Sequence, residues 1–346
     1  MATTRKHAAA ERQGVQEPIP PHTKGAGEVI SGRTSYVFGP VPSRRLGRSL
    51  GVDIVPFKTC CYDCIYCQLG RTPKTTIARR RYVPIDAVLA EVGGRLDTGP
   101  DVDYLTVTGS GEPTLHKGIG PLIKRLKALS PVPVAVLTNG ALLGRPDVRD
   151  ALAEADLVLP SLDAGEPALF HQVNRPHPSV GFGRVVDGLQ SFRAHFQNQM
   201  WLEVFLLNGF TSCIADVERI AYLCRQIAPD RIQLNTVARP PAEGTAGAVP
   251  YDVLSDLARL FDAPTEVIAP RNEDRALPGL HAGISDEMLA LLRRRPCTVK
   301  DLSLATGENP SVVVKALTRL STQGDIRASS LNDTRFYAAT SWQEPE

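Results

Sequence analysis

Short apolar runs alternate with stretches of helical period through most of this chain, and no other feature narrows its fold as much. Residues 50–55, 104–108, 132–137, 157–161, 201–206 and 231–237 read as strands. Residues 85–96 (behind Pro84), 119–129, 147–154, 180–196 and 214–227 carry apolar side chains at helical spacing. Strands alternating with helices make a parallel sheet covered by crossovers. The expectation is an α/β fold, a partial or full (β/α) barrel whose reactive face lies at the strand C-termini.

Directly after the first of these strands comes Lys58-Thr59-Cys60-Cys61-Tyr62-Asp63-Cys64-Ile65-Tyr66-Cys67-Gln68. Three thiolates, from Cys60, Cys64 and Cys67, can converge on one small inorganic centre. Four thiolates normally close a [4Fe–4S] cluster, so a loop that offers three leaves one iron open to an outside ligand. Structural zinc wants four ligands, usually as two separated pairs, and Cys213, Cys224 and Cys297 are scattered. A disulfide framework fits poorly with seven cysteines in a long chain that has no secretory signal. Polar clusters also recur at successive strand ends: Thr108-Gly109-Ser110-Gly111-Glu112-Pro113, Thr138-Asn139-Gly140, Ser161-Leu162-Asp163, and Gln233 with Asn235 and Thr236. Glycines there let backbone approach a ligand, and Glu112 can accept from a cationic amine. Each polar residue taken alone also reads as a turn or cap.

The cysteine spacing, with an aromatic before the last cysteine, resembles the signature of the radical S-adenosylmethionine (SAM) superfamily. That resemblance implies a [4Fe–4S] cluster on Cys60, Cys64 and Cys67, with SAM chelated through its amine and carboxylate on the open iron. It implies reductive cleavage of SAM to a 5′-deoxyadenosyl radical that abstracts hydrogen from substrate. Tyr66 matches the family's adenine-packing aromatic. Gly109, Ser110, Gly111 and Glu112 look like the stretch that binds the methionine amine, and Thr138, Asn139, Ser161 and Asn235 take the ribose and carboxylate contacts. An outside reductant such as flavodoxin or ferredoxin is implied as a partner.

Longer stretches (residues 38–46, 60–71, 108–116, 161–163, 174–176 and 233–241) resemble a narrower group related to tRNA 4-demethylwyosine synthase, over roughly residues 36–241. That group carries a second cluster fed by cysteines ahead of the SAM motif, and this chain has none before Cys60. It also holds pyruvate on a lysine, for which Lys24, Lys58 and Lys74 are available. Without the second cluster, the resemblance leaves room for another substrate.

With 346 residues, 42% hydrophobic and 22% charged, the chain suits two soluble domains. No apolar run approaches a membrane span, and cytoplasm is the expected compartment. The net charge of +2 hides an asymmetry. Up to Val83, the residues Arg5, Lys6, Arg12, Lys24, Arg33, Arg44, Arg45, Arg48, Lys58, Arg71, Lys74, Arg79, Arg80 and Arg81 face only Glu11, Glu17, Glu28, Asp53 and Asp63. A polyanion such as RNA suits that excess, and so does a solvated surface with nothing bound.

Four segments are expected: a disordered tail (1–34), the radical SAM domain (35–241), a Gly/Pro-rich linker with some order (242–283), and a small α+β winged helix-turn-helix (284–346). In the last, three helices precede a hairpin, with residues 312–320 in the recognition-helix position. Its charges balance, which favours partner docking or substrate presentation over DNA binding. Two functions are on the table: a SAM-cleaving radical enzyme, or a redox-sensing regulator read out through the winged helix. A sensor has no use for an amine site at residues 109–112.

Overall fold

The computed structural model describes residues 36–238, 241–268, 283–292, 296–306, 308–331 and 334–341. The expected tail, with Lys24, and residues 269–282 of the expected linker lie outside the described residues. The chain opens on an antiparallel hairpin, β1 (Val37–Ser43) and β2 (Gly47–Val52). There follow α1 (Ile85–Leu96), β3 (Tyr104–Val107), α2 (Ile119–Leu129), β4 (Val134–Thr138), α3 (Pro146–Leu152) and β5 (Leu157–Pro160). Next come α4 (Pro167–Val173), α5 (Phe182–His195), β6 (Gln199–Phe205), α6 (Ile214–Ile227), β7 (Arg231–Asn235), α7 (Tyr251–Leu257) and β8 (Thr265–Val267). The chain closes with α8 (Ile284–Leu292), α9 (Val299–Thr306), α10 (Pro310–Thr322) and the hairpin β9 (Ile326–Leu331) and β10 (Thr334–Ala339).

Strands β1 to β8 form one sheet in sequence order, parallel from β2 onward. Its two edge strands do not pair, so the barrel is partial. Alternation along the strands sorts side chains by face. Leu105, Val107, Val134, Val136, Val158, Leu202, Val204, Ile232 and Leu234 join the helix-facing core. The opposite, concave face holds a small apolar plug of Leu46, Ala135, Leu157 and Leu159, with Ser49, Thr106, Glu203, Gln233 and Asn235 among its polar residues.

Two elements differ from the expectation. Residues 38–47 read as a turn-rich lead-in, yet β1 is a strand. Its Gly39, at φ +97°, and Pro40 sit where the register with β2 shifts, and an edge strand with a bulge tolerates proline where a central one does not. Helix α4 went unread because two turns are too short to show a period, although Pro167 opens it and Phe170 and Val173 bury one face. Strand β8 falls where the sequence reads a short strand near residues 265–268 of the linker, and its pairing with β7 carries the sheet past Pro241 to Val267.

The C-terminal helices do not stand apart. Met288, Leu292, Leu302, Val312, Val313, Leu317 and Leu320 share one buried cluster with Phe38 of β1 and Leu69 of the cysteine loop, with Phe57 and Cys67 packed against it. Helix α10 is well started: Pro310 takes its first turn, and the side chain of Asn309 accepts from the Ser311 N–H. No described helix is long and apolar enough to cross a membrane.

Candidate active site

The cysteine loop leaves β2 at the C-terminal end of the sheet and is tied by its backbone to the next strand end. Lys58 N–H donates to the Ser110 carbonyl at 2.7 Å, and Glu112 N–H donates to the Thr59 carbonyl at 2.9 Å. Two glycines make that approach sterically feasible. A Cβ on Gly109 (φ +134°) would lie 2.2 Å from Asp53 Cγ, and one on Gly111 would lie 2.0 Å from the Thr59 carbonyl oxygen. On its other flank the loop is held by Asp63, which accepts from Arg71 and from the Thr72 N–H, and by Glu243, which pairs with both Arg71 and Arg175. A loop fixed on both sides presents its side chains in one arrangement.

Cys60, Cys64 and Cys67 are half-buried at the strand ends, and none is in a disulfide. Cys61 is fully buried in the barrel core. Each of the three half-buried sulfurs receives a side-chain N–H: Lys58 Nζ is 3.1 Å from Cys67, Asn139 Nδ2 is 3.5 Å from Cys60, and Asn174 Nδ2 is 3.5 Å from Cys64. Burial pushes the Cys60 thiol up to about 12 and the Cys64 thiol well above its ordinary value, so a metal must displace those protons on binding. Burial acts to lower the Lys58 ammonium, but the pull of Cys67, Cys60 and Cys64 outweighs it and the net shift is upward. Among the described residues no three His, Cys, Asp or Glu side chains converge closely enough to hold a single metal ion. A cluster takes each thiolate on a different iron and tolerates the wider spacing, so three soft, separated sulfurs on one fixed loop fit it.

The strand-end residues form several hydrogen-bonded groups. Glu112 Oε1 accepts from the Thr114 N–H (3.0 Å) and hydroxyl (2.5 Å) and from the Thr138 hydroxyl (2.7 Å), while Oε2 accepts from the Asn139 N–H (2.7 Å). Burial raises its pKa against the pull of those donors. Ser110, read as an amine-site variant, is buried and gives both its N–H and its hydroxyl to Asp53 Oδ2. Thr138 and Asn139 meet Glu112, whereas Ser161 and Asn235 meet each other only through Glu203: Asn235 Nδ2 donates to it at 2.8 Å and Ser161 Oγ at 3.4 Å. Tyr66 stacks on Phe205 at 4.1 Å between ring centroids, 13° from parallel, and its hydroxyl donates to Asp163.

Several residues that matter here were given no role from the sequence. Asp163, held also by Asn174 Nδ2 at 2.6 Å, is buried enough for its carboxyl to be pushed up to about 6. Phe205 and Glu203 could have been found by following the period of β6, whose odd positions face the concave side. Asp53 and Asn309 could not: Asn309 Nδ2 reaches Asp53 Oδ2 (3.3 Å) across 256 residues of sequence. Of the candidate pyruvate lysines, Lys58 has its amine on the Cys67 sulfur, and Lys74 is exposed.

Sheet, mouth and cysteine loop together define a radical SAM enzyme, and residues 54–221 match the Radical SAM superfamily. A [4Fe–4S] cluster and SAM are its cofactors. Within that superfamily the chain belongs to the UPF0026 family: it is 34% identical over 307 residues to the UPF0026 protein of Helicobacter pylori strain J99, covering 88% of this chain and 97% of that one. It is also 36% identical over 308 residues to a protein of Brachyspira hyodysenteriae named GTPase Obg, covering 88% of this chain. There the chain spans only 45% of the relative's length. Among solved structures it is similar to TYW1 with a lysine–pyruvate adduct bound, at a TM-score of 0.49 and 16% identity, over 63% of this chain and 74% of that one.

Proposed function

We propose that Cys60, Cys64 and Cys67 hold the [4Fe–4S] cluster and that SAM binds beside it across the strand ends. The observation that carries this reading is the split among the four loop cysteines: three are half-buried at the mouth with an N–H on each sulfur, and Cys61 is sealed in the core. When bound, the cluster would pass one electron from an outside reductant to SAM, giving methionine and a 5′-deoxyadenosyl radical that becomes 5′-deoxyadenosine by taking a hydrogen atom from substrate. The chain's own part is placement. Glu112 Oε2, with one partner, faces the methionine amine, and Gly109 and Gly111 keep the wall thin enough for it to approach. Tyr66, backed by Phe205, offers its other face to the adenine, and Glu203 holds Ser161 and Asn235 toward the ribose and carboxylate.

The C-terminal helices and hairpin we read as a winged helix that walls the cluster site. Val312, Val313, Val314, Ala316, Leu317 and Leu320 of α10 are all buried, which leaves too little open face for a DNA groove. A tRNA base, the substrate of the resembling group, is the substrate class to try first. Four of the nine described basic residues before Val83 pair with acids later in the chain: Arg45 with Glu203, Arg48 with Asp101, Arg71 with Glu243 and Arg79 with Asp147. Exposed Lys74, Arg80 and Arg81 remain for phosphate contact.

The test is protein prepared without oxygen and assayed for iron, sulfide and electron paramagnetic resonance (EPR). Cys60→Ala, Cys64→Ala and Cys67→Ala are each expected to lose the cluster, and Cys61→Ala to keep four irons at a stability cost of about 1 kcal/mol. Full iron in Cys64→Ala, or loss in Cys61→Ala alone, would overturn the ligand assignment.

A further inference from the structure

Lys58 is an unusual residue to bury. Its side chain carries an ammonium, which seldom leaves water without a partner, yet it is only 8% exposed. Its backbone is at φ +59°, a left-handed conformation that costs a non-glycine residue free energy and persists where the surroundings demand it. Its N–H is fixed on the Ser110 carbonyl. The result of that geometry is an ammonium 3.1 Å from the Cys67 sulfur. Phe57, Leu69 and the C-terminal helices pack around this side of the loop and exclude water, so the charge acts through a medium less screening than solvent.

We propose that Lys58 sets the reduction potential of the cluster, an inference that rests on the assignment of Cys67 as a ligand. One-electron reduction adds negative charge to the cluster and its sulfurs. A cation donating to one of those sulfurs stabilises the reduced form more than the oxidised form and raises the potential, since cluster potentials follow net charge and hydrogen bonds to sulfur. Asn139 and Asn174 give Cys60 and Cys64 neutral amide donors at longer range. Charged donors make the stronger hydrogen bonds, so Lys58 carries the largest share. Its role is positioning and tuning, and it touches no substrate.

The experiment is an EPR-monitored redox titration of the reconstituted holoprotein without SAM, in the parent, Lys58→Met, Lys58→Gln and Lys58→Arg. Lys58→Met is expected to bind an electron at least tenfold more weakly, a shift of about 59 mV to more negative potential for a one-electron couple. Lys58→Gln, with a neutral donor, is expected to fall between Met and the parent, and it carries the test if Lys58→Met loses its iron. Lys58→Arg is expected to restore most of the shift. A parent with four irons whose midpoint is matched by both neutral variants overturns the role of Lys58 alone. Absence of iron from the parent overturns the cluster assignment and this inference with it.

Discussion

Glu112 shows how much a single carboxylate can organise. A carboxylate offers about four acceptor sites, and three donors already crowd Oε1 while Oε2 holds one. Glu112→Ala is therefore expected to weaken SAM binding by a charged hydrogen bond, roughly 1.5–3 kcal/mol, and also to lower the unfolding midpoint, because Thr114, Thr138 and Asn139 lose their acceptor. Calorimetric SAM titration beside thermal melts checks both, and parental SAM affinity would remove Glu112 from the amine site. His116 supplies a pH test away from the cluster. It is fully buried, its Nδ1 accepts from the Gly118 N–H at 2.9 Å, and burial lowers its pKa below the ordinary 6.5. With the folded-state pKa depressed, its stabilisation is present above pH 6.5 and lost as pH falls below it. The urea midpoint is expected to fall between pH 7.5 and 5.5, on the order of the span a histidine titrates, and less steeply in His116→Gln. An equal slope in both proteins would contradict that. At this scale the residues legible in the sequence were those with local spacing. Cys60, Cys64, Cys67 and the 109–112 stretch lie in short motifs, whereas Asp53, Glu203 and Asn309 act through partners far off in the chain, which no local pattern records.

The C-terminal helices are where element-level reading of the sequence fell short. Balanced charge and a change of period suggested a winged helix-turn-helix of its own, suited to partner docking or substrate presentation. Its elements lie close to their expected positions, but α8, α9 and α10 bury Phe38 and Leu69 and pack against Cys67, and Asn309 bonds to the same Asp53 oxygen that holds Ser110. Burial against another part of the chain leaves no mark in a segment's own hydrophobic period. Deleting residues 284–346 is now expected to expose Phe57, Leu69 and the Cys67 side of the loop, to lower solubility, and to speed cluster loss in air several-fold. Cluster absorbance followed after exposure to oxygen measures it, and loss at the parental rate would show that the helices are a separate domain after all. The milder Asn309→Ala removes the bond to Asp53 and the cap of α10 together. It is expected to cost about 1 kcal/mol for the cap and to leave the iron content near the parental value.

For the whole molecule, the parallel order of the sheet was legible because each β/α crossover repeats one simple signal, apolar strand then amphipathic helix. The first edge was not, since β1 hides behind Gly39, Pro40 and Pro42, whereas the short β8, Thr265–Val267, was legible as a strand but not as part of the same sheet. Charge was legible only in part for a related reason. Folding brings Asp101, Asp147, Glu203 and Glu243 onto four of the basic residues before Val83. Local text cannot show what the fold will place beside it. The central claim is that a cluster on three cysteines of this mouth cleaves SAM, and its most direct measurement is 5′-deoxyadenosine released by anaerobically reconstituted protein given SAM and dithionite. The account predicts 5′-deoxyadenosine and methionine in equal amounts from the parent and neither from Cys64→Ala. Fully loaded parent that leaves SAM intact, or Cys64→Ala that cleaves it at the parental rate, would contradict the account.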